Sequence, residues 1–310
     1  MPTTTGGYDT ATPADITGSI DQAVAKFLAE SRFTLQERPG VIRSSIRVET
    51  LPESEGPYLN IPKYATVTAI PLTQGVDMST ASEITDTMMS IQPTEFGAQV
   101  ILTDMMLMTV KDEFFRVAGR ILADGYDRFQ DMTLADDFAN FSNTVCGAGG
   151  FFNFGYLMAG HARIKWGSTA TAAAANRGGE PGPDPITAVL TPPQSHSLKK
   201  TLVGGIGAAG ATQVVPAMER AAFGEEYMVG GVTVKTDVNI QVDSARDATG
   251  AIISKESTIL AELGDGPTAE RERDASLRAW EVNFVGRWGR GEYNDTWGIG
   301  VYADSDPPTS

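Results

Sequence analysis

One glycine pattern in the sequence is of the kind that cradles a phosphate group. Gly205, Gly207 and Gly210 have the spacing of the dinucleotide fingerprint, in which glycines let the backbone approach a pyrophosphate at the start of a helix. That fingerprint needs a strand before it and an unbroken helix after it. Residues 194–203 instead have a helical pattern, and Pro216 falls where the following helix should run. A glycine loop is therefore favoured, and a dinucleotide-binding enzyme is kept as the remote alternative.

Nucleophiles and nitrogen or sulfur metal ligands are few. The chain has two histidines, His161 and His196, and one cysteine, Cys146. Their spacing does not match a zinc or di-iron motif. A Cys146–His161 nucleophile pair would need a third, orienting group and an activated thiolate. A cysteine at a helix end beside glycines is more often buried, so we expect no catalytic, metal-binding or cofactor-binding residue.

Two acidic segments also lack the pattern of a site. Residues 243–250 resemble the start of a calcium loop, but alanine or serine stands where that motif has a ligand, a glycine and a glutamate. Asp136 and Asp137 are adjacent on a predicted helix, so their side chains point about 100° apart and do not converge as an acid–base pair. We interpret both segments as solvent-facing.

The elements around these residues predict a long projection and a long helix. Residues 64–70 and 84–91 are extended runs on either side of a turn-rich tip, which predicts a β-hairpin. A hairpin this long needs a surface to lie on. A helix start at Thr103–Asp104 is followed by apolar residues at helical spacing, with a possible break at Thr109–Val110. A helix continuing to Phe141 would be about 55 Å long.

The rest of the chain alternates helical and extended patterns. Residues 280–284 and 297–301 each alternate, and the loop 289–295 between them predicts a C-terminal hairpin. The other predicted elements are helices over 19–33, 154–165 and 193–203, and strands over 41–51, 186–190, 232–242 and 252–263.

Composition limits the classes of protein. Of the residues, 41% are hydrophobic and 20% are charged, which is enough apolar material for a core. The 24 Lys and Arg residues against 39 Asp and Glu residues give a net charge of −15, which opposes nonspecific binding to nucleic acid or to an anionic membrane. No apolar run approaches the roughly 20 residues that span a bilayer, and we expect no signal peptide. A single cysteine fits a reducing compartment.

Several strings resemble the major capsid proteins of tailed double-stranded DNA bacteriophages, and their order along most of the chain carries the resemblance. The strings are Pro-Lys-Tyr-Ala-Thr-Val-Thr-Ala (62–69), Leu-Thr-Gln-Gly-Val-Asp (72–77), Pro-Thr-Glu-Phe-Gly (93–97), Leu-Thr-Asp (102–104), Arg-Glu-Arg-Asp-Ala-Ser (271–276) and Trp-Gly-Ile-Gly-Val (297–301).

The resemblance implies an α+β chain with the major capsid fold of tailed phages and herpesviruses. Its expected parts are an N-terminal arm (1–49), an extended β-hairpin loop (50–95), a peripheral domain with a long spine helix (96–150), an axial domain (151–266), and C-terminal strands that return to the peripheral domain (267–310).

The same resemblance implies a structural protein and not an enzyme. The subunits would self-assemble as pentamers and hexamers into an icosahedral phage head that encloses packaged double-stranded DNA. This virion capsid would be assembled in the host cytoplasm. Expected partners are further copies of the chain, a separate scaffolding protein, a portal and, in some cases, decoration proteins. The DNA would be enclosed without sequence-specific binding, and no membrane is involved. An encapsulin-like compartment that encloses enzymes is the alternative with the same fold.

Contacts between subunits are expected on the hairpin and near the C-terminus. Near the C-terminus, residues 270–278 alternate arginine with acidic residues, which suits salt bridges between subunits. The same pattern is equally consistent with an exposed turn of mixed charge. Some relatives join subunits by a Lys–Asn isopeptide bond, but no pattern in the sequence pairs Lys63 with Asn294. The residues expected at contacts are Tyr64, Val67, Ile70, Met88, Met89, Ile91, Arg271 and Arg273.

Overall fold

The computed structural model describes residues 40–51, 56–64, 74–75, 86–109, 112–167, 179–208, 226–264 and 266–308. The strands are β1 (Arg47–Leu51), β2 (Leu59–Tyr64), β3 (Asp86–Ile91), β4 (Thr94–Thr103), β5 (Thr144–Cys146), β6 (Ile186–Leu190), β7 (Tyr227–Val229), β8 (Val232–Thr236), β9 (Asp247–Ser254), β10 (Thr258–Leu263), β11 (Thr268–Asp274), β12 (Ala279–Glu292) and β13 (Gly298–Asp304). The helices are α1 (Asp104–Thr109), α2 (Asp112–Ala135), α3 (Phe154–Trp166) and α4 (Pro192–Ala208), with 3-10 helices at Arg43–Ser45, Asp136–Asn140 and Asp295–Trp297.

The described residues fall into two compact units. The first contains residues 96–130 and 267–286. The second contains residues 41–95, 131–266 and 287–310. Strand β12 therefore contributes its first half to the first unit and its second half to the second.

In the first unit, β4 and β11 both pair with β12. Aromatic rings pack against one another in this unit: the centroids of Phe96 and Phe129 lie 5.4 Å apart, and Tyr126 meets Phe284 edge to face at the same distance. Gly286 lies directly against the Tyr126 ring, where a Cβ atom would collide with the phenol. This glycine lets the strand approach the aromatic ring closely.

The predicted long helix is present, but it ends before Phe141, the last residue to which it could have continued. It begins at Asp104, as predicted, and the hydroxyl of Thr103 accepts a hydrogen bond from the Met106 backbone N–H at 3.3 Å. Helix is described over Asp104–Thr109 (α1) and Asp112–Ala135 (α2). Val110, where an interruption was considered possible, lies outside the described residues. Helix α2 ends at Ala135, after which the chain tightens into a 3-10 helix and does not continue to Phe141 as α-helix.

A six-stranded sheet in the order β5-β13-β9-β6-β8-β7 is the centre of the second unit. Strand β6 is parallel to β8 and antiparallel to β9, and all five of its residues are buried, as the apolar run predicted. Gly160 of α3 lies against Ile252 of β9, so this helix packs close to the sheet. The core residues include Phe152, Leu157, Ile164, Leu198, Val232, Val234, Ile252, Ile299 and Val301.

Local signals place both helices of this unit correctly. The Asn153 side chain accepts a hydrogen bond from the Tyr156 N–H at the start of α3, and Gly167 ends that helix at φ +64°. Helix α4 follows β6 directly and begins with proline, whose missing N–H costs nothing in the first helical turn.

The predicted C-terminal hairpin is wrong. Strand β13 pairs with β9 and β5 in the six-stranded sheet, whereas β12 pairs with β10 and β11. Residues 289–292, which were interpreted as a loop, continue β12 because β10 pairs with them. The single strand expected over 252–263 is likewise two strands, β9 and β10, that belong to different sheets. The last strand thus lies between β5, within the segment 96–150, and β9, within the segment 151–266.

The second unit also contains the hairpin of β2 and β3, hereafter "the hairpin". The two strands are antiparallel, with Leu59 opposite Ile91 and Tyr64 opposite Asp86. Strand β3 coincides with the second predicted run, while β2 begins before the first. Strand β1 is parallel to β10, which in turn pairs with the second half of β12. The helix predicted over 19–33 lies outside the described residues.

A buried glutamine joins two strands of the six-stranded sheet to the start of α4. The Gln194 amide nitrogen donates to the carbonyl oxygens of Ala248 at 2.8 Å and Ala303 at 3.1 Å, while its oxygen accepts from the Thr191 N–H at 3.2 Å. Ala248 and Ala303 are register partners on β9 and β13. This one side chain satisfies three buried backbone groups that water cannot reach.

We expect Gln194→Met to lower the free energy of unfolding by ~2–4 kcal/mol, because two buried carbonyls and one N–H lose their partner while side-chain volume is nearly kept. Urea denaturation of the variant measures this. Gln241→Met, at an exposed position, is the control and should leave the midpoint unchanged. Equal midpoints for the two variants would contradict the assignment.

Candidate assembly surfaces

The hairpin has one face packed on its own chain. Side chains alternate between the two faces of a strand, and the inward set packs on Ile259 and Ala261 of β10 and on Tyr293. The inward residues are Leu59, Ile61, Met89 and Ile91. Ile259, Ala261, Gly289, Gly291 and Tyr293 are called the hairpin seat below.

Two glycines make room for the hairpin on this seat. Gly289 and Gly291 are the register partners of Ala261 and Ile259 on the neighbouring strand. A Cβ atom on Gly289 would lie 2.7 Å from the backbone oxygen of Gln92 and 2.9 Å from a methyl group of Ile91. A Cβ on Gly291 would collide with the end of the Met89 side chain. The base of the hairpin therefore lies directly on the backbone of β12.

Lys63 adds a polar contact between the hairpin and the C-terminal segment. Its ammonium group lies 5.7 Å from the ring centroid of Tyr293 and 5.9 Å from that of Trp297, within the range of a cation–π interaction. Asn294 lies between these two residues in sequence, but its carboxamide oxygen accepts hydrogen bonds from the backbone and hydroxyl of Thr296. The contacts of Lys63 are thus with the rings that flank Asn294.

The outward face of the hairpin carries large apolar side chains in solvent. Tyr64 and Met88 are each 63% exposed, and Met88 is the register partner of exposed Pro62. Of the other hairpin residues expected at contacts, Met89 is half-buried on the seat and Ile91 is only 2% exposed. Ile91 is therefore a core residue of its own chain. Val67 and Ile70 lie outside the described residues.

The charged segment near the C-terminus is the strand β11. The Arg273 guanidinium pairs with both carboxylate oxygens of Asp104 at the start of α1 and lies 5.5 Å from the Trp280 ring centroid. The hydrogen bond from Arg273 holds the pKa of Asp104 below its usual value. Arg273 is thus engaged within its own unit, and for Arg271 the structure describes the backbone position in β11.

The glycine string lies in the wrong part of its helix for a dinucleotide. Gly205 and Gly207 fall in the last turn of α4, which ends at Ala208. The fingerprint needs its glycines where a helix begins, because only there do free backbone N–H groups point at a phosphate. Gly210 lies outside the described residues. The predicted glycine loop is also wrong for the two glycines that can be placed.

The cysteine has the wrong environment for a nucleophile. Cys146 ends strand β5 rather than a helix, has a positive φ of 69°, and is partly buried. Burial raises the pKa of its thiol, which disfavours the reactive thiolate. Among the described residues, no group of three or more histidine, cysteine or acidic side chains has a geometry that could hold a metal ion.

The acidic loop at residues 243–247 is held together by its own hydrogen bonds. One Asp243 oxygen accepts from the backbone of Ala245 and Asp247, and the other accepts from the Tyr302 hydroxyl at 2.8 Å. The hydrogen bond to this carboxylate raises the pKa of Tyr302 to about 12. The loop therefore forms a closed turn, with its oxygens used internally.

A carboxyl cluster beside the hairpin seat was missed by sequence reasoning. Asp137, Glu292 and Asp295 come from three separate elements, and the Arg290 guanidinium lies among them, 3.0 Å from Asp137. Burial first, and the nearby Asp295 charge second, raise the pKa of Glu292 to about 7. No spacing in the sequence brings residues 137 and 292 together. The C-terminal hairpin prediction also placed Glu292 in a loop.

No helix of the described residues is long and apolar enough to cross a membrane.

Solved structures with the same fold include phage heads and capsids. The chain is similar to a chain in the head structure of Helicobacter pylori bacteriophage KHP40 (TM-score 0.61, 11% identity, 84% of this chain and 87% of that chain), and to one from Mycobacterium phage Che8 (0.58, 14%, 80% and 85%). It is also similar to a chain in the capsid of Ralstonia phage GP4 (0.56, 15%, 86% and 88%). The expected α+β major capsid fold is therefore confirmed. No family model and no curated protein matches the chain.

We expect Gly289→Ala to weaken the attachment of the hairpin, because the new methyl group would press on the Gln92 backbone, which cannot rotate away as a side chain can. The free energy of unfolding should fall by ~1–3 kcal/mol, and backbone amides of β2 and β3 should exchange faster with deuterium.

Gly125→Ala is the matched control. A Cβ at Gly125 has no heavy atom within 4 Å, and alanine is the better helix former, so stability should be equal or slightly higher. Wild-type exchange in the hairpin of Gly289→Ala would contradict the role of this glycine.

Proposed function

We propose that this chain is a structural major capsid protein, not an enzyme, which self-assembles as pentamers and hexamers into an icosahedral shell around double-stranded DNA. The observation that carries the proposal is the fold, which spans most of this chain and most of each phage capsid chain it matches. The shell would be the phage head, assembled in the host cytoplasm. A scaffolding protein, a portal and decoration proteins are the proposed further partners.

The two faces of the hairpin differ in their contacts. This difference supports an assembly in which the hairpin of one subunit overlaps its neighbours. Its inward face is satisfied by the hairpin seat, whereas Tyr64 and Met88 present apolar surface outward. Exposed large apolar side chains on a projecting element are typical of interaction surfaces. We assign Tyr64 and Met88, together with Val67, Ile70 and Arg271, to contacts between subunits. Met89 and Arg273 contribute to these contacts indirectly, because their own contacts within the chain hold the adjacent surface of the same subunit in place.

Assembly of this kind needs many contacts of modest strength. Each subunit in a closed shell repeats the same surfaces, so an element that reaches a neighbour adds to every interface of the particle. Interfaces of obligate assemblies bury about 2,000 Å² or more, which a compact body reaches more easily with a projecting element. The five segments expected from the resemblance are the proposed organisation of the subunit.

An encapsulin-like compartment is the alternative that shares this fold. The two proposals differ in what the shell encloses: double-stranded DNA in one, cargo enzymes in the other. The net charge of −15 is compatible with a wall that does not grip DNA. Nuclease-protected DNA in purified particles would favour the phage head, whereas an enclosed enzyme would favour the compartment.

Electron microscopy and light scattering of the full-length purified protein, alone and with its scaffolding partner, test the proposal directly. We expect closed shells with five-fold vertices, or pentamers and hexamers that convert to them. A compact monomer or dimer under all conditions would contradict assembly.

The double variant Tyr64→Ser with Met88→Ser should raise the protein concentration needed for shells about tenfold or more, because two apolar contacts are lost at every interface. Its melting temperature should stay near wild type, since both side chains are solvent-exposed in the subunit. Asn60→Ser, a polar change on the same outward face, is the control and should assemble as wild type. Normal assembly of the double variant would remove these residues from the interface.

A further inference from the structure

The backbone groups of the hairpin strands alternate in direction. In an antiparallel pair, residues that exchange hydrogen bonds with the opposite strand alternate with residues whose N–H and C=O groups point away from it. Pro62 of β2 has no N–H to give to β3, so Pro62 and its register partner Met88 form a pair of the second kind. The next residue agrees with this assignment: the Lys63 carbonyl points toward β3, where it accepts from the Thr87 hydroxyl at 3.4 Å.

Alternate residues therefore direct their backbone groups to the outer edges of the hairpin. These residues are Asn60, Pro62 and Tyr64 on β2, and their register partners Ser90, Met88 and Asp86 on β3. All of them are exposed. Within the described part of the chain, the hairpin is a separate two-stranded sheet, and the outer backbone groups of β3 make no hydrogen bond. The hairpin thus has two strand edges at which a further strand could be added.

The two edges differ in their capacity to bind another strand. Natural sheets protect exposed edges with proline, because proline cannot donate a backbone hydrogen bond to an added strand. Pro62 is the middle residue of the β2 edge, so a strand added there would lose its central donor. The β3 edge has an N–H and a C=O at each of its outer residues. The edge of β2 is therefore blocked, and the edge of β3 is open.

The open edge of β3 is complementary to a second copy of itself. When two copies pair antiparallel about Met88, each Met88 lies opposite Met88 of the partner subunit, and Asp86 lies opposite Ser90 of the partner subunit. This register engages every outer residue of both strands, in about six backbone hydrogen bonds. It places a carboxylate opposite a hydroxyl that can donate to it, whereas a register with Asp86 opposite its own copy would place like charges together. The exposed Met88 side chains meet on the outward face.

We propose that the outer edge of β3 pairs with the same edge of β3 in a second copy of this chain, so that two hairpins form one sheet in the order β2-β3-β3-β2. The inference rests on the proposed function and specifies the bonds through which the hairpin contacts a neighbouring subunit. The contact is two-fold and isologous, so it joins subunits in pairs and not in rings. It also stabilises the hairpin, because a sheet of more than two strands is more stable than an isolated pair.

A disulfide cross-link tests both the pairing and its register. Opposed residues that exchange hydrogen bonds have Cα atoms about 5.5 Å apart, a distance that a disulfide spans. In a Cys146→Ser background, which removes the single native thiol, Met88→Cys should give a covalent dimer on oxidation, both in shells and in concentrated unassembled protein. Ser90→Cys in the same background is the control. It would lie about 13 Å from its own copy and should not cross-link.

A pair of proline variants separates the two edges. Ser90→Pro removes a donor from the outer edge of β3, and Asn60→Pro removes one from β2 at the register-partner position. Neither N–H serves the hairpin itself, so in both variants the inward amides of β2 and β3 should keep their protection from deuterium exchange. We expect Ser90→Pro to raise the protein concentration needed for shells about tenfold or more, because each pairing loses two hydrogen bonds. Asn60→Pro should assemble as wild type.

The results distinguish failure of this pairing from failure of the proposed function. If the wild type forms no shells under any condition, the proposed function fails, and a Met88→Cys dimer in the unassembled protein would still support the pairing. If the wild type forms shells but Met88→Cys does not cross-link, the pairing alone is overturned. Cross-linking of Ser90→Cys to the same extent as Met88→Cys, or equal assembly of the two proline variants, would also overturn it.

Discussion

A two-stranded hairpin cannot stand in water by itself, and the second unit is arranged to meet that constraint. The paired strands bury one apolar face on β10 and on the second half of β12. Gly289 and Gly291 remove the side chains that would otherwise lift the hairpin off this surface. The attachment therefore depends on the absence of two side chains as much as on the presence of the apolar ones.

The alternation of side chains along a β-strand then determines which residues the other face of the hairpin presents. Because alternate residues point to opposite faces, a hairpin that satisfies one face on its own chain must present the other face outward. Tyr64, Met88 and Pro62 occupy that outward face. The groups that first suggested a site lie elsewhere, in a helix end, a strand end and an internally hydrogen-bonded turn.

Local sequence signals were sufficient for most elements but not for their partners. The Thr103–Asp104 helix start acts within one turn, and α1 begins at Asp104 as predicted. Helices α3 and α4 begin at or within one residue of the predicted positions 154 and 193. The pairing of β12 and β13 was predicted wrongly because strand partners depend on residues distant in sequence. The carboxyl cluster was missed for the same reason, since its members become neighbours only after the strands have paired. The fold was predicted from the order of the strings that resemble major capsid proteins, because no single local pattern specifies it.

Under the proposed function, a hairpin that contacts a neighbouring subunit must also adapt to it, which requires an attachment of intermediate strength. Elements that move in function belong to the less stable parts of a structure, where few buried contacts hold them. The hairpin meets this description, because a small apolar seat and the two cation–π contacts of Lys63 hold its base. The core sheet, in contrast, is held by a continuous apolar cluster and by the fully satisfied amide of Gln194. The described part of the second unit thus combines a core sheet that many buried contacts hold with a hairpin base that rests on a much smaller apolar surface.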